Sequence, residues 1–228
     1  MIEVNGSAIA CHATITHPDS LTLLHFHGNG ETIADYVDGD FHQFYQLGVN
    51  VVFVEYRGYG RSTGQPQLSA MLGDGECVVR QLGLAFDRVV AFGRSMGSLY
   101  AIELASRHPE LAGLVIESGI ADPAERFLKY ADLSEAGCCE ADVRRAVAEQ
   151  FDHQKKMAAF TNPVLILHAE NDQLIPISHA ERNHSWSGST NRRLIRFPYG
   201  NHNTIMPFNA AEYFQGLRDF LEAIDRTE

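Results

Sequence analysis

The sequence predicts an α/β protein in which a doubly wound, mostly parallel β-sheet carries helices on both faces. Short runs of Val, Ile, Leu and Phe recur along the chain, with helix-like segments between them. The runs do not alternate with polar residues, which is typical of strands buried on both faces. The intervening segments would supply the crossovers that parallel strands require. The predicted strands are 21–26, 49–54, 89–92, 114–116, 164–167 and 194–197.

The N-terminal residues have a different pattern. Segments 2–4 and 8–14 flank Asn5-Gly6, a dipeptide that favours a two-residue hairpin turn. We therefore expect an antiparallel N-terminal edge attached to the parallel sheet. The predicted helices of the main body are 31–47, 67–85, 96–107, 177–186 and 208–224.

Residues 121–161 form a long stretch between two predicted strands, with no strand pattern of their own. We interpret this stretch as a small helical cap over one end of the sheet, with helices predicted at 126–130 and 142–151. The whole chain, 1–228, is expected to form a single domain, because its length suits one hydrophobic core.

The chain is acidic, with a formal net charge of -11 at pH 7. Such a surface repels phosphate backbones, so nucleic acid is not an expected partner. No long apolar run or signal peptide is apparent, and we expect no membrane-spanning segment and a cytoplasmic location. Cys11, Cys77, Cys138 and Cys139 match neither a zinc site nor a disulfide framework. The adjacent Cys138 and Cys139 could form a strained vicinal disulfide, but free thiols are the stronger expectation.

The strongest chemical signal is the pattern G-x-S-x-G over residues 93–97, with Ser95 at its centre. The motif directly follows a predicted strand and opens a predicted helix, which is the setting in which a serine becomes an exposed nucleophile. The tight turn needs small neighbours, and Gly93 and Gly97 satisfy this requirement. The helix N-terminus would also offer N–H groups to developing negative charge.

A serine hydroxyl needs a base, and His202 is the predicted one. Among 11 histidines, His202 follows the last predicted strand, so it should lie at the same rim of the sheet as Ser95. Asp172, after the strand at 164–167, is the predicted carboxylate that orients this histidine. Glu170 and Asp122 are competing candidates for that acid, because each also follows a predicted strand.

An oxyanion needs two preorganised N–H donors. The amide of Met96, directly after the serine, is the first candidate. The second is the amide of Asn29, in a glycine-containing loop after the strand at 21–26. Glycines there would let the backbone approach a substrate closely.

Together these motifs resemble the compact α/β-hydrolases of the serine aminopeptidase-like (S33-type) group, which includes the α/β-hydrolase domain-containing depalmitoylases. The resemblance spans about residues 20–224. It implies the α/β-hydrolase fold and the hydrolysis of small-molecule carboxylic esters or thioesters through an acyl-enzyme. It also implies the same residues: Ser95, Asp172, His202, Asn29 and Met96. The segments that carry it are 27–30, 55–62, 93–98, 168–176 and 200–203.

Other residues have simpler interpretations. We expect Glu55 and Arg57 to be structural, Arg57 as a buried ion-pair partner. No metal-ligand pattern is present, and the expected mechanism needs no cofactor. Amide or peptide hydrolysis, acyl transfer by the same triad, and a non-catalytic ligand-binding protein remain alternatives. The oligomeric state is left open. Four cap residues could line the acyl pocket, although core packing is the expected role: Phe127, Leu128, Tyr130 and Met157.

Overall fold

The computed structural model of the chain describes residues 1–37, 40–135 and 137–226. Its strands are β1 (Ile2–Val4), β2 (Ser7–Ile9), β3 (Cys11–Thr14), β4 (Thr22–Phe26), β5 (Asn50–Val54), β6 (Val89–Arg94), β7 (Gly113–Glu117), β8 (Val164–Ala169) and β9 (Arg192–Phe197). Its helices are α1 (Ile33–Val37), α2 (Asp74–Gln81), α3 (Gly97–Arg107), α4 (Pro123–Tyr130), α5 (Glu140–Gln150), α6 (His153–Ala159), α7 (Ile177–Trp186), α8 (Ile205–Phe208) and α9 (Ala210–Asp225). Two 3-10 segments are Asp40–Gln46 and Phe86–Arg88.

The main sheet has seven strands in the order β3-β5-β4-β6-β7-β8-β9. Every neighbouring pair is parallel except β3–β5, which is antiparallel. The prediction of a mostly parallel sheet with an antiparallel edge is therefore confirmed. Because the parallel strands run the same way, the loops after β4, β6, β8 and β9 leave from one rim of the sheet.

The N-terminal edge differs from the prediction in its connectivity. The segment expected as one strand at 8–14 is split at Ala10, whose N–H bonds to the Ser62 hydroxyl and whose carbonyl accepts from the Glu55 N–H. As a result β1 and β2 form a separate two-stranded hairpin, and β3 alone joins the main sheet. The hairpin turn lies at Asn5-Gly6 as predicted, with φ of 49° and 79° at the two residues.

Two apolar clusters cover the two faces of the sheet. On one face, α2, α3 and α6 pack against strand residues such as Leu24 and Ile116. On the other, α9 packs through Tyr213 and Phe214 against residues such as Phe92. The residues of β4, β5, β6, β7 and β8 are buried on both faces, which is why these strands lack alternation in the sequence. The strand predicted at 194–197 differs, because β9 is an edge strand and its Arg196 is exposed between the buried Ile195 and Phe197.

Two predicted helices are shorter than expected. The helix predicted at 67–85 is only α2, which ends where Gly83 adopts a φ of 68°. Its start at Asp74 coincides with a buried ion pair between Asp74 and Arg57, whose Nε lies 2.8 Å from Oδ2. The segment predicted as a helix at 31–47 consists of α1 and a 3-10 segment, with residues 38–39 outside the described part of the chain.

The segment interpreted as a cap contains α4, α5 and α6, and its residue 136 lies outside the described residues. Glu125 on α4 makes a two-point ion pair with Arg182 on α7, at 2.8 Å for each contact. Asp122 caps the start of α4 by accepting the Ala124 N–H at 2.9 Å. α6 was not predicted from the sequence. None of the helices in the described ranges is long and apolar enough to cross a bilayer.

Candidate active site

Ser95 lies in the turn between β6 and α3. Its φ of 51° is in the left-handed region, which is uncommon for a residue other than glycine. Its main-chain N–H donates to the Glu117 carbonyl at the end of β7, 2.8 Å away. The neighbouring strand therefore anchors the turn in a conformation that the free chain would disfavour.

The two glycines around Ser95 leave no space for a side chain. A Cβ on Gly97 would lie 2.1 Å from the Phe26 carbonyl oxygen, on β4. A Cβ on Gly93 would lie 2.6 Å from the Gly97 carbonyl oxygen. Both clashes are with backbone atoms, which can shift only at a high energetic cost. Steric crowding therefore explains why this chain has glycine at both positions of the G-x-S-x-G motif.

Three side chains from separate loops meet at the turn. Nε2 of His202 lies 2.8 Å from Oγ of Ser95, and Nδ1 of His202 lies 2.7 Å from Oδ2 of Asp172. An ionised carboxylate only accepts hydrogen bonds, so the imidazole proton resides on Nδ1 and Nε2 is free to accept. All three residues are buried. The structure thus brings together the three residues that the sequence nominated.

The loop after β8 holds Asp172 with its second oxygen. Oδ1 accepts the N–H groups of Leu174 at 2.9 Å and Ile175 at 2.8 Å. Burial alone would raise the pKa of Asp172, but the hydrogen bond and charge of His202, with the Ile175 N–H, bring it below the usual value. The competing acids are elsewhere: Asp122 caps α4, and the exposed Glu170 makes no side-chain contact with His202 among the described residues.

A second histidine, His168, supports the same loop. Its Nε2 donates to the Ile175 carbonyl at 2.8 Å and lies 3.5 Å from Oδ2 of Asp172. Burial lowers the pKa of His168, so its imidazole stays neutral and brings no positive charge to Asp172.

The loop after β4 carries Asn29. The Asn29 Oδ1 accepts the Tyr59 hydroxyl at 2.8 Å, and the Gly28 N–H donates to Oε2 of Glu31 at 2.7 Å. Asn29 and Met96 line the same cavity as Ser95. Within the described ranges, neither main-chain N–H donates to another protein group, which leaves both available to a ligand.

Glu55 and His27 connect this loop to the sheet. His27 Nε2 lies 2.7 Å from Oε1 of Glu55, whose Oε2 accepts the Ile33 N–H at the start of α1. Both side chains are buried, and their hydrogen bonds within the described chain go to each other and to main-chain groups of Gly28 and Ile33. Glu55 therefore has the structural role expected of it.

Arg94 is a residue that the sequence analysis missed. It directly precedes Ser95, and its Nη2 donates to the His202 carbonyl at 3.0 Å. Its Nη1 pairs with Glu31 at 2.5 Å and its Nε with Glu117 at 3.2 Å. One guanidinium thus connects the serine turn, the histidine loop and the loop of Asn29. The only sequence signal for this role was the position of an arginine directly before the predicted nucleophile.

A cavity of about 980 Å³ opens beside Ser95 and His202. Phe127 and Tyr130 of the cap line it, whereas Leu128 and Met157 are not among its walls. Met157 is instead fully buried in the core. The apolar walls of the cavity include Pro66, Leu68, Met71, Met96, Ile120, Phe127, Leu174 and Ile175.

Across residues 1–37, 40–135 and 137–226, no group of three potential ligand side chains is placed to hold a metal ion.

Comparison with known proteins agrees with this architecture. Residues 16–151, more than half of the chain, match the family described as serine aminopeptidase, S33. The chain is 26% identical over 219 residues to the α/β-hydrolase domain-containing protein aho-3 of Caenorhabditis elegans, covering 94% of this chain and 61% of that protein. It is 28% identical over 184 residues to α/β-hydrolase domain-containing protein 17B of Homo sapiens, covering 76% and 58%. The chain therefore spans about 60% of the length of these curated relatives.

Solved structures share the fold at low sequence identity. An esterase from Exiguobacterium antarcticum is 17% identical with a TM-score of 0.72, covering 96% of this chain and 97% of that one. A monoacylglycerol lipase from Paleococcus ferrophilus is 15% identical with a TM-score of 0.74, covering 95% and 99%. The sheet order, the serine turn and the family match lead to one conclusion: the chain belongs to the serine aminopeptidase S33 family of α/β-hydrolases.

Proposed function

We propose that this hydrolase cleaves carboxylic esters or thioesters of small molecules through an acyl-enzyme on Ser95. The observation that carries the proposal is the hydrogen-bonded series from Ser95 Oγ through His202 to Asp172, at 2.8 Å and 2.7 Å. A hydroxyl within reach of a neutral imidazole nitrogen, itself oriented by a carboxylate, is the arrangement that activates a serine.

In the proposed reaction, Oγ of Ser95 attacks the carbonyl carbon while Nε2 of His202 takes the hydroxyl proton. The tetrahedral intermediate then expels the alcohol or thiol, which leaves with the proton from Nε2, and the acyl group stays on Ser95. Water attacks this ester with His202 again as base. The acid is released and the Ser95 hydroxyl recovers its proton. Asp172 stays ionised throughout and stabilises the imidazolium.

We assign stabilisation of the oxyanion to the main-chain N–H groups of Asn29 and Met96. Both residues line the cavity beside Ser95, and neither N–H is used within the described part of the chain. Preorganised donors of this kind contribute about 3 kcal/mol each to lowering the barrier. Because the donors belong to the backbone, the side chain of Asn29 is not required for this role.

The charges around the cavity favour esters over peptides with a free amino terminus. A carboxylate would be needed to receive the α-ammonium group of such a peptide. Among the described residues that line the cavity, no acidic side chain is present, and Glu31 and Glu117 nearby are paired with Arg94. An uncharged ester or thioester needs no such partner.

A substrate panel tests the proposal. Wild type, Ser95→Ala and the control Ser185→Ala, an exposed serine on α7, are assayed with p-nitrophenyl esters, acyl-CoA thioesters and aminoacyl p-nitroanilides. We expect ester or thioester turnover that Ser95→Ala reduces by at least about a thousandfold and Ser185→Ala leaves intact. Turnover of the anilides alone would favour a peptidase. Equal rates for wild type and Ser95→Ala, or no labelling of Ser95 by a fluorophosphonate, would contradict the mechanism.

A further inference from the structure

The guanidinium of Arg126 is held at the cavity wall by the protein itself. Nη1 donates to the Leu174 carbonyl at 2.7 Å, in the loop that carries Asp172. The guanidinium carbon also lies 4.6 Å from the centre of the Tyr130 ring, a cation–π contact. Arg126 is half-buried and lines the cavity that contains Ser95. Its position is thus set before a ligand enters.

Arg126 has no acidic partner among the described residues. The acidic residues near Arg126 in the sequence have other partners: Glu125 pairs with Arg182, and Asp122 caps the start of α4. Lys129, also without an ion pair in the described chain, contacts the same aromatic ring, with Nζ 5.5 Å from its centre. Two cations without a carboxylate partner in the described chain therefore lie beside Tyr130, in a protein whose net charge is -11.

The other polar side chains of the cavity offer no unpaired positive charge. Arg94 is paired with Glu31 and Glu117, and His202 is hydrogen-bonded to both Asp172 and Ser95. This leaves Arg126 as the cation of the described cavity walls with no carboxylate partner. The remaining walls are largely apolar, so a ligand anion in the cavity would find its counter-charge only there.

The free edge of Arg126 has the geometry that carboxylates use. Only Nη1 of Arg126 donates hydrogen bonds to the described residues, so Nε and Nη2 have no partner there. Elsewhere in this chain, Arg57 uses that same edge to bind a carboxylate: its Nε and Nη2 lie 2.8 Å and 2.6 Å from the two oxygens of Asp74. Such planar two-point pairing is specific for carboxylate-like groups.

We propose that Arg126 binds a carboxylate of the substrate, and that this enzyme prefers esters with an apolar body and an acidic group remote from the scissile bond. The proposal rests on the proposed ester hydrolysis. It adds a binding determinant on the cap, outside the triad and the oxyanion donors. The substrate class is thus a half-ester of a dicarboxylic acid, or an ester whose alcohol part carries the carboxylate.

Matched ester pairs test this assignment. One pair is mono-p-nitrophenyl adipate and the p-nitrophenyl ester of adipic acid monoamide, which differ in charge at the far end of the acyl chain. The second pair is p-acetoxybenzoate and p-acetoxybenzamide, which differ in charge on the alcohol side. The measured quantity is the ratio of kcat/KM for the acid to kcat/KM for the amide. It is determined for wild type, Arg126→Gln, Arg126→Lys and Arg145→Gln.

We expect wild type to prefer the acid of at least one pair. Arg126→Gln should lower that ratio about tenfold, mostly through KM, because a charge-assisted hydrogen bond is lost. Arg126→Lys should retain part of the preference, and added salt should weaken it. Arg145→Gln removes an exposed cap arginine that pairs with Asp142 and does not line the cavity, so the ratio should stay at the wild-type value. Because a general loss of activity lowers kcat/KM for the acid and the amide alike, it cancels in their ratio.

The assignment is overturned if wild type hydrolyses the acid and the amide of both pairs equally well, or if Arg126→Gln keeps the wild-type ratio. Either result leaves the proposed ester hydrolysis intact, because the ester bonds of the two amide-bearing substrates are still cleaved in a manner that depends on Ser95. Failure of the proposed function would instead appear as no difference between wild type and Ser95→Ala on any of these esters.

Discussion

The guanidinium of Arg94 donates to the main-chain carbonyl of His202, with 3.0 Å between Nη2 and the oxygen. This hydrogen bond joins the residue before the proposed nucleophile, Ser95, to the proposed general base, His202. The other nitrogens of Arg94 pair with Glu31 and Glu117, so the arginine is enclosed by charged and polar partners. Burial would lower the pKa of Arg94, but the negative charges of Glu117 and Glu31 raise it above its usual value, so the guanidinium stays cationic.

Replacing Arg94 with Gln should destabilise the protein strongly. The substitution leaves the buried carboxylate of Glu117 without its cation, which typically costs about 3–5 kcal/mol. Urea unfolding followed by circular dichroism measures the loss. The double variant Arg94→Gln/Glu117→Gln removes the uncompensated charge and should recover part of it. If Arg94→Gln were as stable as wild type, the contacts of Arg94 with Glu31, Glu117 and the His202 carbonyl would not stabilise the fold.

Gly97→Ala should disrupt the serine turn. The added methyl group would collide with the Phe26 carbonyl oxygen, a backbone atom at the end of the inner strand β4. We expect a loss of about 3 kcal/mol or more in the free energy of unfolding, together with weaker fluorophosphonate labelling. Gly73→Ala is the matched control, because its Cβ would meet only an arginine side chain at 4.0 Å. That variant should lose less than about 1 kcal/mol; equal effects of the two would refute the steric argument.

Asp172→Asn should lower kcat with little change in the fold. Oδ1 can still accept the N–H groups of Leu174 and Ile175, but an amide NH₂ facing Nδ1 of His202 would favour the wrong tautomer. A loss of about a thousandfold to ten-thousandfold in kcat is expected. Asp122→Asn keeps a good helix cap and Glu170→Gln changes an exposed side chain, so both should retain wild-type rates. A large loss in either control, with Asp172→Asn active, would reassign the acid.

His153 should make stability depend on pH. Burial lowers the pKa of His153 from 6.5 to about 4, and its Nδ1 donates to the Ile120 carbonyl at 2.8 Å. Between these two values the unfolded chain binds the proton and the folded chain does not. The titration of His153 therefore leaves the free energy of unfolding unchanged above about pH 6.5. That free energy decreases as the pH falls from 6.5 towards 4.

The variant His153→Gln removes this titration. Its free energy of unfolding, measured by denaturant titration at several pH values, should fall less steeply on acidification than that of wild type. The difference in slope should approach about 1.4 kcal/mol per pH unit. His17→Gln, at an exposed position, should keep the wild-type slope. Identical slopes for wild type and His153→Gln would contradict a depressed pKa.

The sheet and the candidate triad were predictable from the sequence for the same physical reason. Strands buried on both faces appear as continuous apolar runs, and loops that leave the same end of parallel strands must lie along one rim. That reasoning selected Ser95, Asp172 and His202 without knowledge of their distances. The helix at 177–186 was also predicted with the bounds that α7 has.

The contacts of Arg94 and Arg126 were not predictable in this way. Each depends on the convergence of loops far apart in the chain, such as the meeting of Arg94 with His202 across 108 positions. No local periodicity encodes such a meeting. The split of the N-terminal strand at Ala10 has a similar origin, since side-chain and backbone partners beyond the hairpin take its hydrogen bonds.

The proposed mechanism requires an acyl group bound covalently to Ser95, and rapid-quench mass spectrometry detects such an intermediate. Wild type is mixed with a p-nitrophenyl ester, quenched in acid during the first turnover, and its intact mass and proteolytic peptides are measured. We expect a mass increase equal to the acyl group, confined to the peptide containing Ser95 and absent from Ser95→Ala. Steady ester turnover that survives in Ser95→Ala, with no acylated peptide at any quench time, would contradict the mechanism.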